Sequence, residues 1–412
     1  MKFVVDCDIV LSHAPSGPIA VYLEPFAKSL REQGYASQSI HRQVLVSAGF
    51  SAWLARRQPV LHHITSDLVL PYLKYRFRHV QPSRGDGAAL KHLLAFLRDE
   101  GAIPAEKIPA SPGTSAERCS RTYEEYLREA RGLSQATIVN YVPFVLDFLE
   151  ECFGNGPIVW SQLCARDVVR FVERRARRLH PKRSKLLTSA LRSFFRFARY
   201  RGKVKLDLGA AVPVVPHWTM TTTPRAIPAN QVQQLLNSIN RHTALGRRDY
   251  AVLLVLARLG LRASEAAFLE LDDINWKAGQ LSIRGKAGQR SDLPLPPEVG
   301  KAIAAYLRNG RPPSTSRRVF LRARAPIRGF RGASGVGSIV RHRLQRAGID
   351  APTYGAHQFR HGLACELLRQ GASLGEIGEV LGHKSPETTR IYAKVDLEAL
   401  RTLALPWPGG VR

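Results

Sequence analysis

The sequence is short of acidic residues. Its 412 positions hold 33 Asp and Glu against 61 Lys and Arg, a formal net charge of +28. An excess of that size attracts a polyanion. Nucleic acid is the first candidate, and an anionic membrane surface is the second. Long apolar runs are also missing: no stretch approaches the length of a membrane span, which weakens the membrane reading. The opening MKFVVDCDIV carries two Asp among its apolar residues, which spoils it as a signal-peptide core. A cytoplasmic, nucleoid-associated location is therefore expected. Cysteine is scarce. Cys7, Cys119, Cys152, Cys164 and Cys365 show no CxxC pair and no metal-ligand spacing, so reduced and mostly buried thiols are expected. A Walker loop and a dinucleotide fingerprint are both absent. Any chemistry is expected to need neither ATP nor a bound redox cofactor; no cofactor and no metal are expected.

What is present is a chain with enough apolar residues, 44%, to build real cores. Residues 23–60 read as two helices around a turn at Gly34-Tyr35-Ala36-Ser37, with Ile40, Val44, Ala48 and Trp53 forming an apolar stripe. Two shorter helices are expected around Leu70–Tyr75 and Ala88–Leu97. The run IPAEKIPASPGTS reads as a linker. A second helical unit follows from 117. At an offset of 98, Gly34-Tyr35 aligns with Gly132-Leu133, Ile40 with Ile138, Val44 with Val142 and Phe50 with Phe148. That similarity fits either tandem related modules or chance.

Residues 166–205 concentrate positive charge: 15 Lys and Arg stand against Asp167 and Glu173. Leu187, Leu191, Phe194 and Ala198 line one helix face, and Arg192, Arg196 and Arg199 another. A charge run is ordinarily a solvated face, but this one is too one-sided for ion pairing, which favours phosphate contact. Arg192, Arg196, Arg199, Lys182, Arg183 and Lys185 are the candidate DNA contacts. The Pro-rich stretch PVVPHWTMTTTPRAIP reads as a second linker. Beyond it the pattern is mixed: helices around 230–240 and 247–257, a hairpin made of QLSIRG and RSDLPLP around a KAGQ turn, and helices at 297–308 and 335–347. HQFRHGLACELLRQG reads as a helix ending at Gly371. SLGEIGEVLGH reads as another, with Ser373 and Glu376 at capping-box spacing and Gly382 just past its end. The fold class is mainly α with a small β-sheet near the C-terminus (α+β), behind helical N-terminal modules.

Six groups carry chemistry. Arg262 lies in GLRASE, Lys286 in the hairpin turn, His357 and Arg360 in HQFRHG, and His383 and Tyr392 in LGHKSPETTRIYAKV. Ser385 as N-cap and Pro386 at the first helical position predict a short helix running through Tyr392. Two guanidiniums can hold phosphate oxygens with planar, bidentate geometry and stabilise charge in a pentacovalent transition state. A Lys on a turn can protonate a leaving alkoxide, and a His can move the proton of an attacking hydroxyl. A tyrosine, with a pKa of about 10, is a poor nucleophile unless cations and a base assist it. Each residue also has a plainer reading. Tyr392 alone would be a half-buried aromatic, Arg262 an ion-pair partner of Glu265, and Lys286 a solvated turn residue. His361 reads as packing or support for the site, and Lys384 as a further phosphate contact.

In order and in spacing these motifs resemble the tyrosine recombinases, the phage-integrase family. The intervals Arg262 to Lys286 and His383 to Tyr392 look like the Xer-type pattern. GLRASE resembles the first arginine box, with Glu265 where a supporting acidic residue often sits, and HQFRHG resembles the His-x-x-Arg box. The resemblance covers 225–400 strongly and implies a role for each residue. Tyr392 would attack the scissile phosphate, form a 3′-phosphotyrosyl link and free a 5′-hydroxyl. Arg262 and Arg360 would clamp the phosphate, Lys286 would protonate the leaving 5′-oxygen, His357 would be the acid/base partner of Tyr392, and His383 would bond the phosphate. Residues 117–205 resemble the family's helical, SAM-like core-binding domain, which with the catalytic domain 225–400 would clamp duplex DNA. Residues 1–110 exceed the common two-domain plan, as an arm-like or duplicated helical module, and their length resembles that of mobile-element recombinases. A tail, 401–412, follows; in DLEALRTLALPWPGGVR, Leu397, Leu400, Leu403 and Leu405 could form a helix packing on its own domain or on a neighbour. The implied partners are double-stranded DNA and related recombinases in a homo- or hetero-tetramer, with no membrane. Two other readings of the chain are a DNA-binding accessory protein that does not cleave and a relaxing enzyme of the type IB topoisomerase kind.

Overall fold

The computed structural model describes residues 3–6, 9–11, 13–57, 61–105, 113–215, 223–285, 290–383, 385–395 and 400–401. Lys286, Lys384, Cys7, Leu397, Leu403 and Leu405 therefore lie outside the described residues. The chain divides into two compact units. One combines Met1–Glu106 with Thr222–Arg412; the other is Lys107–Thr221.

The N-terminal part opens with a short antiparallel pair, β1 (Phe3–Asp6) and β2 (Ile9–Leu11), which the sequence reading did not anticipate. Helices α1 (Leu23–Glu32), α2 (Ser37–Ala55), α3 (Val69–Arg76) and α4 (Asp86–Asp99) follow. Their core joins Phe26, Leu30, Ile40, Val44, Phe50, Trp53 and Leu93. The turn between α1 and α2 needs a glycine, because Gly34 has φ +80°.

The second unit holds α5 (Ser115–Glu129), α6 (Gln135–Phe153), α7 (Ala165–Ala176) and α8 (Pro181–Tyr200). Helix α5 starts on a reciprocal capping box between Thr114 and Glu117. Leu187, Leu191, Phe194 and Ala198 of α8 are all fully buried, as their spacing predicts. Some residues matched by the offset of 98 occupy like places in the two helix pairs, though Val142 is half-buried where Val44 is fully buried. Gly132 has positive φ like Gly34, and Ile138 and Phe148 are buried like Ile40 and Phe50.

The C-terminal part contains α9 (Ala229–Asn237), α10 (Ala244–Leu259), α11 (Ala263–Phe268), the antiparallel sheet β3 (Ile274–Asn275), β4 (Gln280–Arg284) and β5 (Arg290–Pro294), then α12 (Pro297–Asn309), α13 (Ala333–Arg346), α14 (His357–Arg369), α15 (Leu374–Val380) and α16 (Pro386–Thr389). Helix α10 is the axis of the core. Ala251 through Leu256 are fully buried one after another, so every face of this helix is covered. The sheet order is β3-β4-β5, with Leu281 opposite Leu293. The turn joining β4 to β5, which carries Lys286, is outside the described residues.

Candidate active site

Three turns bring the site together. Helix α10 ends at Gly260, whose φ is +61°. A Cβ there would stand 2.8 Å from Leu381 Cδ2 and 3.0 Å from Leu363 Cδ2. Glycine thus serves twice: it takes the left-handed conformation, and it lets the GLR turn approach both α14 and the end of α15. Helix α15 starts on the expected capping box between Ser373 and Glu376 and ends before Gly382, at φ +59°. The third segment begins at Ser385. Pro386 occupies the first helical position, but the Ser385 side chain makes no capping hydrogen bond. After one α turn the backbone tightens into a 3-10 helix, Arg390–Val395, and Tyr392 sits there rather than on an α-helix.

Two arginines tie these turns to one another. Arg262, at the N-cap of α11, donates its backbone N–H to Glu265 Oε2 at 2.7 Å and pairs with Oε1 through Nη1 at 2.6 Å. Its Nη2 lies 3.4 Å from the Gly382 carbonyl. The ion pair with Glu265 and a place at the cluster thus coexist. Arg360 is 2% exposed. It donates from Nη1 to the Gly260 carbonyl at 2.7 Å and from Nη2 to the Leu381 carbonyl. Burial, and then the positive charge of Arg262, bring its pKa down to about 10. It stays protonated near neutrality, with further N–H donors uncommitted to these carbonyls.

The nucleophile candidate is buried but polar at its tip. Tyr392 is 1% exposed, and its ring packs with Ala364, Cys365, Ile377 and Leu381. Its hydroxyl lies 3.0 Å from Nδ1 of His361. His361 in turn meets His357 edge to face at 4.4 Å between ring centroids. Nδ1 of His383 is 2.8 Å from Oγ1 of Thr389, and its ring lies parallel to that of Tyr392 at 6.5 Å. Burial pushes the Tyr392 phenol up to about 12 against the pull of Arg360. Burial likewise lowers His361 and His383 to about 4, with the nearby cations and other histidines adding to it. In this closed arrangement the phenol and both imidazoles are neutral at pH 7.

Five of the six expected groups, Arg262, His357, Arg360, His383 and Tyr392, therefore gather around the turn 381–383 with Glu265 in support. The sequence reads His361 as packing or support for the site. It touches the Tyr392 hydroxyl itself, whereas His357 is linked to the tyrosine through the His361 ring. The signal was in the sequence: His357 and His361 are four residues apart on one helix, so they share a face. Thr389, 2% exposed and bonded to His383, was also missed, and nothing in the spacing pointed to it.

The candidate DNA contacts of α8 have mixed surroundings. Arg192 donates to the carbonyls of Val212 and Pro213, Arg199 pairs with Asp207, and Arg183 reaches Asn140. Arg196 donates to the carbonyl of Arg192, and Lys182 and Lys185 are exposed. The described thiols are free: Cys365 is buried, Cys119 and Cys152 half-buried, and Cys164 exposed. No helix among the described residues is long and apolar enough to cross a membrane.

Comparison with known proteins adds an independent line. Residues 225–398 match the family model described as the phage integrase family, and residues 121–202 match that of the phage integrase N-terminal SAM-like domain. The protein y4rA of Sinorhizobium fredii, named as an integrase/recombinase, is 56% identical over 410 residues, 99% of each chain. Tyrosine recombinase XerC of Azotobacter vinelandii is 31% identical across 67% of this chain and 91% of its own. Among solved structures, the XerH recombinase bound to palindromic difH substrate aligns with a TM-score of 0.55 at 19% identity, over 69% of this chain and 83% of that one. A lambda integrase dimer bound to a COC′ core site aligns with a TM-score of 0.52 at 16% identity, over 79% and 89%. At these identities the structural likeness is one of fold.

Proposed function

This chain belongs to the phage integrase family of tyrosine recombinases, and on that premise we propose that it cleaves and rejoins duplex DNA through a covalent bond to Tyr392. The observation that carries the reading is the Tyr392 hydroxyl held 3.0 Å from His361 Nδ1, beside two arginines that meet on the adjacent carbonyls of Leu381 and Gly382.

Chemically, the phenol oxygen of Tyr392 forms a bond to the scissile phosphorus while the bond from phosphorus to the 5′-oxygen breaks. The phenol proton passes to His361. Burial holds the phenol up and the imidazole down, so moving that proton before attack is uphill. Transfer therefore runs together with formation of the O–P bond. A phosphate at Arg262 and Arg360 also brings negative charge beside His361, which favours the imidazolium. The side chain of Arg262 is 39% exposed and its bond to Gly382 is long, so it is the guanidinium most readily turned to a phosphate oxygen. Arg360 holds the two turns while offering its remaining N–H groups. His357, exposed at the start of α14, packs its ring edge to face against His361. His383, braced by Thr389, adds a donor to the phosphate, and Lys286 protonates the departing 5′-oxygen. One phosphoester replaces another, so a second strand can reverse the step without ATP.

Double-stranded DNA is the proposed substrate, and assembly with further recombinase copies as a tetramer is part of the same reading. A nicked suicide duplex tests it. The wild-type chain forms a DNA adduct and Tyr392→Phe forms none; site binding with no adduct in the wild type would favour a non-cleaving accessory protein.

A further inference from the structure

Outside the active site, the segment LRARAPIRGFRG stands out. Leu321 bridges Gly329, and the Arg322 N–H donates to the Arg328 carbonyl at 2.9 Å, closing a tight loop that holds Arg322, Arg324 and Arg328, with Arg331 just beyond it. Arginines nearby are paired: Arg317 with Asp272, Arg318 with Glu270, Arg343 with Asp249. None of these four has a carboxylate or carbonyl partner for its side chain among the described residues. Arg328 Nε is buried with no acceptor among the described residues. Such a donor in a native fold calls for an explanation, and an acceptor supplied by a ligand is one.

The same loop meets the N-terminal helices. The Ile327 N–H donates to the Gln33 carbonyl at 2.8 Å. At Gly34 a Cβ would stand 2.5 Å from Ile327 Cγ1, so the turn between α1 and α2 seats on that side chain only because it has none of its own. This places Tyr35 beside Arg322 and Arg328, whose charges act on its hydroxyl. The charged groups acting on Arg328 are Arg331, Arg322 and Tyr35, with no carboxylate among them, and burial together with the two arginines makes its protonated form less favourable. Like charges held together at that cost fit an anion.

We propose that Tyr35, Arg322, Arg328 and Arg331 form a second phosphate-binding site for the backbone of duplex DNA, completed only when the turn at Gly34 is seated on Ile327. The guanidiniums supply charge-assisted donors to non-bridging oxygens, and the Tyr35 hydroxyl supplies a neutral one. The N-terminal module then acts as one wall of a site whose other wall belongs to the C-terminal part. The inference rests on duplex DNA being the substrate, but it does not depend on cleavage.

The test is binding of the full-length chain to a random-sequence duplex across a salt series. Each phosphate contact contributes about 0.9 to the slope of log K against log salt. Arg322→Ala/Arg328→Ala is expected to make that slope shallower by about 1.8, if each guanidinium neutralises one phosphate. Gly34→Val leaves every charge in place and is expected to make it shallower by at least about 0.9 by unseating Tyr35 and the loop. An unchanged slope in the double variant overturns the site. A shallower slope in the double variant with a wild-type slope in Gly34→Val overturns the role of the N-terminal module. Circular dichroism establishes that each variant is folded, and the double variant, which leaves the turn at Gly34 unchanged, decides the question if Gly34→Val does not fold. Adduct formation on a nicked duplex is measured in the same preparations: its absence from the wild type counts against cleavage by Tyr392 and leaves the salt slopes to decide this proposal.

Discussion

The hydroxyl of Tyr392 and Nδ1 of His361 lie 3.0 Å apart in a pocket that excludes water from the phenol. Each group shifts the way that keeps the pair neutral, the phenol upward and the imidazole downward. The arrangement holds the proposed nucleophile with its proton already in contact with the proposed acceptor.

His361→Phe removes the acceptor and leaves a buried hydroxyl unpartnered, a change that costs about 1–3 kcal/mol of stability. Loss of a positioned proton acceptor is expected to slow adduct formation by about 10²–10⁴-fold. Single-turnover adduct kinetics and a denaturant titration measure the two effects separately. His357→Ala leaves the hydrogen bond of the pair standing and is expected to slow the reaction less than His361→Phe. The reverse order would return the acid/base role to His357.

Stability should fall as acid is added. His361 and His383 are held near 4 in the fold against an ordinary value of 6.5, so the unfolded chain takes up protons first. Their contribution is fully present above pH 6.5 and is lost progressively as pH drops toward 4, by about a few kcal/mol in total. Tyr392 acts at the other end: its stabilising contribution is present below pH 10 and is lost as pH rises toward 12. Unfolding midpoints measured from pH 4 to 7 in wild type and in His361→Gln check the acid limb. The variant should show a shallower slope than the wild type.

Arg262 and Arg360 should respond differently to the same conservative change. Arg360 is buried and bonds two carbonyls on separate turns, which one ammonium cannot reach with the same fork geometry. Arg360→Lys is expected to cost about 2–4 kcal/mol of stability as well as activity, since it disturbs a buried charged hydrogen-bond network. Arg262→Lys, on a half-exposed side chain, is expected to leave the unfolding free energy within about 0.5 kcal/mol of wild type while slowing cleavage. Calorimetry beside adduct kinetics distinguishes the two.

Gly260→Ala tests the turn that assembles the cluster. The left-handed conformation costs a non-glycine residue about 1–2 kcal/mol, and the added methyl meets Leu381 Cδ2 as well. Combining it with Leu381→Ala relieves the clash but not the backbone, so only partial recovery of stability is expected.

The local elements that carry the candidate site were legible in the sequence, while the roles of its residues came from the family resemblance. The capping box of Ser373 and Glu376, the stop at Gly382 and the helix from His357 are local features, written in residues three or four apart. They placed Arg360 near the start of its helix and His383 just past the end of another, while Tyr392 falls on a 3-10 segment beyond the short α-helix. What sequence could not resolve was which of two histidines on one helix face turns toward the phenol, because ring orientation is set by packing between α14 and the 3-10 segment. Nor could it show that Thr389 braces His383. The seat of Gly34 on Ile327 joins residues almost three hundred positions apart, and no periodicity encodes such a contact.

The most direct measurement is covalent capture of the full-length chain on a nicked suicide duplex, followed by identification of the modified residue by mass spectrometry. The account predicts a phosphotyrosyl bond at Tyr392 in the wild type and no adduct in Tyr392→Phe. An adduct that persists in Tyr392→Phe, or one mapped to another side chain, would contradict it.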